Sequence, residues 1–390
     1  MRSRRLIVPA LLALTLAAGA CGSSSSSSAT STTAATTTAP PVTTVSGPGG
    51  LLDPTADVQS ATVTANGAGA NSIQPFFQKA FYVYNQANPK LTVQYAPTGS
   101  SVGITDIEQG TVDFGDSEIP MAAADLAKAT KGAILQVPVD LGGVALSYNL
   151  GSSGPKSLNL DGPTLAGILL GTVTTWNDPA IAALNSGVTL PSEPIVAVHR
   201  ADSSGPGYDL DQYLIDTAPT WAAKVGTKAS KTWPEATVGV GEQLNTGVAT
   251  TISQTAGAIG FVEYGYAKQA GFTNASLKNA AGTFVAPSEA SIASAGSQAT
   301  GLSATSFNIV NGAGAQTYPL ANFSWTLLYQ EQSNQDLGIA LGKLFDWVTT
   351  TGQGQAAALG YAPLPANAVT LAHQTLEELQ TSTGQPLFSH

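Results

Sequence analysis

The chain has one cysteine, Cys21, so no internal disulfide can brace it and the fold must stand on its core alone. Histidine is almost as scarce, with His199, His373 and His390 the whole supply. There is no Cys/His cluster and no close histidine pair, so no metal site is expected. Charged residues make up only 10% of the 390 residues, the net charge is −10, and no basic run or patch occurs. That balance argues against a nucleic-acid partner. An acidic protein can still bind an anion where neutral donors and local dipoles line the site. No Walker A sequence is present, and the glycine turns lack the third glycine of a dinucleotide fingerprint, so no cofactor is expected.

The first segment reads as an export signal. Arg2, Arg4 and Arg5 precede an apolar run over 6–18, and small residues follow. The run is shorter than the roughly 20 apolar residues a membrane-spanning helix needs. It ends at Ala18-Gly19-Ala20-Cys21, which resembles a lipobox: the signal would end at residue 21, with Cys21 lipidated. Residues 22–57 are rich in Ser, Thr, Ala, Pro and Gly, and most of this stretch cannot bury apolar surface. A disordered tether is expected there, reaching about 30 Å as a random coil.

About 330 residues remain, enough for two lobes with separate cores. Alternation predicts strands at 62–65, 91–95, 112–114, 134–139, 144–148, 195–198, 258–262 and 323–329. Helices are predicted between them, among them 72–87, where Phe76, Phe77, Ala80, Phe81 and Tyr84 share one face. A second such face near the end carries Leu337, Ala340, Leu341, Leu344, Phe345 and Val348. Strands alternating with helices predict an α/β architecture with mainly parallel sheets.

Three glycine- and serine-rich turns each lie between a predicted strand and helix. They are Gly67-Ala68-Gly69-Ala70-Asn71-Ser72, Thr98-Gly99-Ser100-Ser101-Val102-Gly103, and Arg200-Ala201-Asp202-Ser203-Ser204-Gly205-Pro206-Gly207. A helix N-terminus offers free N–H groups and a partial positive charge, which suits an anion. Glycine admits close backbone approach and serine adds donors. Serine and asparagine are also ordinary helix caps, so one turn alone carries little. The second turn also fits G-x-S-x-G, the nucleophile elbow of serine hydrolases, with Ser101 as nucleophile. That alternative needs a histidine base, and the three histidines are poor candidates: one is terminal, one adjoins Arg200, and one sits in a plain helix.

These turns, with 111–118 (TVDFGDSE), 170–185 (LGTVTTWNDPAIAALN), 198–205 (VHRADSSG) and 257–268 (GAIGFVEYGYAK), resemble the periplasmic phosphate-binding protein family of phosphate-specific ABC transporters. The resemblance covers 61–387. It implies a type II two-lobe periplasmic-binding-protein fold with a ligand cleft between lobes joined by two crossovers. Lobe I would comprise 58–137 and 308–390, and lobe II 138–307. It also implies high-affinity capture of inorganic phosphate, delivery to ABC permease subunits, no enzyme activity, and a monomer held outside the cytoplasm on the membrane by its lipid anchor.

Carried over onto this sequence, the family's site comprises Asn71, Ser72, Ser100, Asp113, Arg200, Asp202, Ser204 and Gly205. Arg200 would fork onto the anion with Asp202 orienting it. Asp113 would select phosphate over sulfate, because an ionised carboxylate only accepts and so favours an oxyanion that carries a proton. The sequence departs from the family at Asn71, Ser72 and Pro206. Pro206 removes a hydroxyl and an N–H, with Ser203 and Tyr208 nearby as substitute donors. A non-transport oxyanion sensor of the same fold stays open.

Overall fold

The computed structural model describes residues 60–305 and 307–388. The export signal, Cys21 and the tether lie outside the described residues. Among those described, no helix is long and apolar enough to cross a membrane.

The helix Gln74–Ala87 forms where the phenylalanine face was predicted and buries Phe76, Phe77, Ala80, Phe81 and Tyr84. The helix Gln335–Thr349 lays its own apolar face against it, and Phe345 meets Phe77, Phe81 and Phe114 at ring centroids of 6.2, 6.4 and 5.3 Å. Each such pair adds about 0.5–1.5 kcal/mol beyond its area term. A second core gathers Trp176, Trp221, Tyr213, Phe261 and Trp325. The two cores meet along two strands, Ile134–Asn149 and Ala321–Tyr329.

These two strands lie at the middle of one long sheet. The strand order is Leu91–Ala96, Val63–Gly69, Phe114–Ser117, Ala321–Tyr329, Ile134–Asn149, Ala258–Glu263, Val196–Arg200, Val240–Glu242. The outer strands pair in parallel on each side. The central pair is antiparallel to its neighbours and to itself. The sheet is therefore mixed, where the alternating pattern predicted mainly parallel pairing. Side-chain periodicity sets which face is buried but not which way a partner runs. The predicted strands 134–139 and 144–148 are one strand of 16 residues, because Leu141, Gly142 and Gly143 stay extended between them. Its first half pairs with Ala321–Tyr329 and its second with Ala258–Glu263, so this strand links the two cores. The register slips between Ser324 and Trp325, opposite Pro138 and Asp140. A proline inside a strand is tolerated at such a bulge.

This fold aims the predicted turns at one place. Val63–Gly69, Phe114–Ser117 and Val196–Arg200 all end at the junction of the two halves, and α/β proteins bind ligands at the carboxyl ends of parallel strands.

Candidate functional site

The first two turns pack as one unit. Gly99 N–H donates to Gly69 O at 2.8 Å, and Ala70 N–H to Asp116 O at 3.0 Å. Gly103 lies so close to Gly69 and to the carbonyl of Asp116 that a β-carbon there would displace the backbone. Only glycine lets the helix Ser100–Gln109 sit this tightly on the strand ends. Gly99 (φ 102°) precedes that helix and turns Ser100 inward, where it is 1% exposed.

From the other half comes the strand Val196–Arg200, the loop after it, and the helix Gly205–Thr217. Ser204 caps this helix, its Oγ accepting from Gly207 N–H at 3.1 Å. Pro206 sits in the first turn, where a missing N–H costs nothing to the helix. Arg200 is 1% exposed. Its Nε donates to Asp202 Oδ1 at 2.6 Å and its Nη2 donates to Asp202 Oδ2. This fork leaves the Nη1 edge of the guanidinium for another anion. Burial pushes the Asp202 carboxyl up, but Arg200 and the Leu244 N–H hold it below the usual range.

The halves touch at several points. Ser101 Oγ lies 2.5 Å from Ser203 Oγ, and Ser203 also donates to Lys231 O. Lys231 Nζ reaches back to Asp125 at 2.5 Å. Asn245 N–H donates to Asn71 Oδ1 at 2.9 Å, and Asn71 Nδ2 donates to Tyr266 Oη at 3.0 Å. Asn71 thus spends its amide on bridging the halves rather than on presenting a donor. Leu244, just before Asn245, takes φ 60°, an uncommon conformation for leucine that sets Asn245 in this bridge.

Seven of the eight predicted site residues lie along this junction: Asn71, Ser72, Ser100, Arg200, Asp202, Ser204 and Gly205. The structure does not bring Asp113 there. Asp113 precedes the strand Phe114–Ser117 and so stands at its wrong end; its Oδ2 accepts from Asn66 N–H at 2.8 Å and Asn66 Nδ2 at 3.3 Å. Asp113 was carried over from the family resemblance, and the strand it was placed on, predicted at 112–114, begins only at Phe114. The carboxylate at the cleft is Glu118, just past the strand's C-terminal end and 5% exposed. Glu118 N–H approaches Ser100 Oγ at 3.4 Å, and a β-carbon on Gly205 would collide with Glu118 Oε2. That oxygen and Ser72 Oγ are buried and reach no partner at full hydrogen-bond geometry, although the Ser72 hydroxyl lies near enough to the Glu118 carboxyl to favour its charged form. Burial pushes the Glu118 carboxyl up to about 7, although Ser72, Arg200 and Asn322 pull the other way.

Behind Glu118 lies a layer that the sequence reading missed entirely. Asp116, Asp140, Asp209 and Glu263 are each at most 4% exposed. Burial holds all of them well above the usual carboxylate range, and their mutual charges push the same way. Asn322 Nδ2 donates to both Glu118 Oε1 (3.1 Å) and Asp209 Oδ2 (2.8 Å). Ser324 Oγ donates to Asp116 Oδ1 at 2.7 Å, and Gly143 N–H to Glu263 Oε1 at 2.7 Å. Asp116, Asp140, Glu263 and Asn322 fall just outside the strands predicted at 112–114, 134–139, 258–262 and 323–329, and only the closing of the sheet gathers them with Asp209. The one available signal was a polar residue interrupting a buried strand, as at Asp140 and Asn322. Among the described residues, no group of His, Cys, Asp or Glu is arranged to hold a metal ion.

Ser101, the hydrolase candidate, contacts Ser203 and no histidine. His199 stacks on Trp233 at 5.8 Å, and His373 contacts Asp346 and Glu377. His390 lies outside the described residues.

Comparison with known proteins agrees with this architecture. The model of the PBP superfamily domain matches residues 24–351. The phosphate-binding protein PstS of Xylella fastidiosa is 38% identical over 329 residues, covering 84% of this chain and 88% of the relative. PstS of Pasteurella multocida is 36% identical over 341 residues, covering 87% and 97%. Among solved structures, a phosphate-binding protein from Stenotrophomonas maltophilia matches with a TM-score of 0.61 at 16% identity, over 80% of this chain and 93% of that one. At that identity the likeness speaks for the fold alone.

Proposed function

Because the chain belongs to the PBP superfamily and, within it, to the PstS phosphate-binding proteins, we propose that it captures inorganic phosphate outside the cytoplasm and delivers it to the permease of an ABC importer. The observation that carries this reading is the convergence of Ser72, Ser100, Glu118, Arg200, Ser204 and Gly205 from both halves of the sheet. Arg200 supplies the charge and the two-pronged donor that a tetrahedral oxyanion fits. Ser100, Ser204 and the open N–H groups of the helices Ser100–Gln109 and Gly205–Thr217 supply neutral donors.

Glu118 takes the acceptor's part that the sequence reading gave to Asp113. Its free oxygen receives the proton that phosphate carries and sulfate lacks. Pro206 removes a hydroxyl and an N–H, and Ser203 is already engaged with Ser101 and Lys231, so it does not replace them. An anion held from both sides favours the closed arrangement, which a permease can read. We place the molecule on the membrane through Cys21, as a monomer and without a catalytic role.

Titration calorimetry of the whole protein at neutral pH tests this reading. Phosphate should bind tightly and sulfate far more weakly. A folded sample silent toward phosphate would end it.

A further inference from the structure

A loop over 226–238 joins the helix Pro219–Val225 to the strand Val240–Glu242 and carries one lysine across to the other half of the molecule. The loop itself is anchored on its own half. Ser230 N–H donates to Asp211 Oδ2 at 2.9 Å, and Val238 N–H to Leu169 O at 2.8 Å. Trp233 pins its middle, with ring centroids 4.8 Å from Phe261 and 5.8 Å from Trp221 in the second core. Between these anchors, Lys231 Nζ reaches Asp125 Oδ2 at 2.5 Å. Asp125 belongs to the opposite half: it lies in the short helix Ala123–Leu126, whose Leu126 packs with Ile104, Ile107 and Met121.

The same loop is tied to the turn that carries Arg200. Ser203 Oγ donates to Lys231 O, which spends its one hydrogen, so in the 2.5 Å contact between the two hydroxyls Ser101 is the donor. Ser203 stands between Asp202, the partner of Arg200, and Ser204, the cap of the helix Gly205–Thr217. A β-carbon on Gly99 would come within 3.3 Å of Ser203 O and 3.4 Å of Asp202 Oδ2, so the two turns are in contact. Parting the halves breaks the Lys231–Asp125 and Ser101–Ser203 contacts together. Asp125 also holds Lys128, three residues on in its own half, at 3.0 Å, and Lys128 lies 3.8 Å from Glu108. Burial pushes the Asp125 carboxyl up, but Lys231 and Lys128 hold it below the usual range. One carboxylate thus has two lysines. The pair with Lys128 survives any opening of the cleft, and the pair with Lys231 does not.

Building on the phosphate reading, we propose that the Lys231–Asp125 pair is a clasp that holds the two halves together over the anion and so sets how fast the anion is released. Lys231 and Asp125 are positioning residues: they act through the halves and not on the anion. The clasp governs residence time and has no part in the choice of anion. Ser101, which fitted the nucleophile elbow in the sequence, serves here as the donor that ties the first half to Ser203.

The test measures capture and release separately, by rapid mixing of the whole protein with radiolabelled phosphate and by chase with excess unlabelled phosphate at low salt. Lys231→Met should speed release by about fivefold, the equivalent of about 1 kcal/mol and the upper end for a partly exposed pair, and leave capture within about twofold. Asp125→Asn changes the local charge in the opposite direction and should speed release by a similar factor. The double variant should be no faster than either single one, since the two act on one contact. Lys128→Met removes the same charge as Lys231→Met, but from a pair within one half, and should leave release unchanged. Lys231→Arg should keep most of the wild-type residence time. In about 1 M salt the gap between wild type and Lys231→Met should shrink, because partly exposed charges are screened. Unchanged release in both Lys231→Met and Asp125→Asn would overturn the clasp and leave the phosphate reading intact. So would effects of opposite sign, which would make Lys231 an attractor of anions. Wild-type protein silent toward phosphate would end the phosphate reading, and small-angle X-ray scattering without anion would then judge the clasp. Lys231→Met should have a larger radius of gyration than wild type at low salt, and equal radii would overturn it.

Discussion

The two sides of the cleft bury carboxylates in opposite ways. Asp202 receives both prongs of Arg200 and a backbone N–H, and is held below the usual range despite its burial. Glu118 receives one amide N–H, faces four other buried acids, and is pushed up to about 7. Both are desolvated, so burial alone does not decide charge; the partners do. One side of the cleft is thereby a fixed ion pair, and the other a layer of carboxyls that burial biases toward their neutral form.

The comparison breaks most completely if Arg200 is removed. Arg200→Ala leaves Asp202 buried without its cation and takes a charged donor from the site. Losing one partner of a buried pair typically costs about 3–5 kcal/mol of stability. Phosphate affinity should fall by at least about 30-fold, from the 2 kcal/mol or more seen on truncating buried charge partners. Thermal melts and phosphate titration read the two effects separately. Normal affinity in the variant would mean that the anion does not sit on Arg200.

The pH dependence of stability sharpens the contrast, because the two sides have opposite signs. Asp202 is lowered on folding, so its contribution is present above the unfolded carboxylate value near 4 and is lost as pH falls through its folded value. Glu118 is raised, so its contribution is fully present below about 4.3 and is lost as pH rises through about 7. Asp116, Asp140, Asp209 and Glu263 share that second sign. The melting temperature of the ligand-free protein should therefore decline from pH 5 to pH 8. Asp140→Asn removes one of these acids at nearly constant volume, where Oδ1 has no partner to lose. It should flatten the decline and raise the midpoint at pH 8 by about 1–2 °C, the equivalent of roughly 1 kcal/mol in a folded region of this size. A wild-type curve that rises from pH 5 to 8 would mean that the acid layer is ionised.

Much of the first side was legible in the sequence, and little of the second. The turn at 200–207 announces itself locally: an arginine, an aspartate two residues on, then a serine cap and glycine before a helix. The helices Gln74–Ala87 and Gln335–Thr349 were equally open to reading, since their aromatic and aliphatic faces repeat at helical spacing. The acid layer has no local signature. Asp140 and Asn322 are polar residues in long buried strands that carry others, such as Gln136, Ser147, Ser324 and Thr326, and Asp209 looks like any acid one turn into a helix. They become neighbours only because two antiparallel strands cross the junction of the cores, and periodicity does not report strand direction. Glu118 was within reach. It stands five residues beyond Asp113, and the rule that ligands gather at the carboxyl ends of parallel strands favours the residue after the strand over the one before it.

That choice gives the smallest expected effect and a sharp one. Asp113 accepts from Asn66 at the far end of its strand, away from Arg200, Ser100 and Gly205. Asp113→Asn keeps an oxygen for the Asn66 N–H and should change stability by no more than about 0.5 kcal/mol, as for an ordinary surface substitution. The ratio of phosphate to sulfate affinity should stay within about twofold of wild type, a change of less than 0.5 kcal/mol. Glu118→Gln, measured beside it, should lower that ratio above neutral pH. If Asp113→Asn lowered the ratio and Glu118→Gln did not, selection would belong to the residue before the strand, and the acid layer would have no part in choosing the anion.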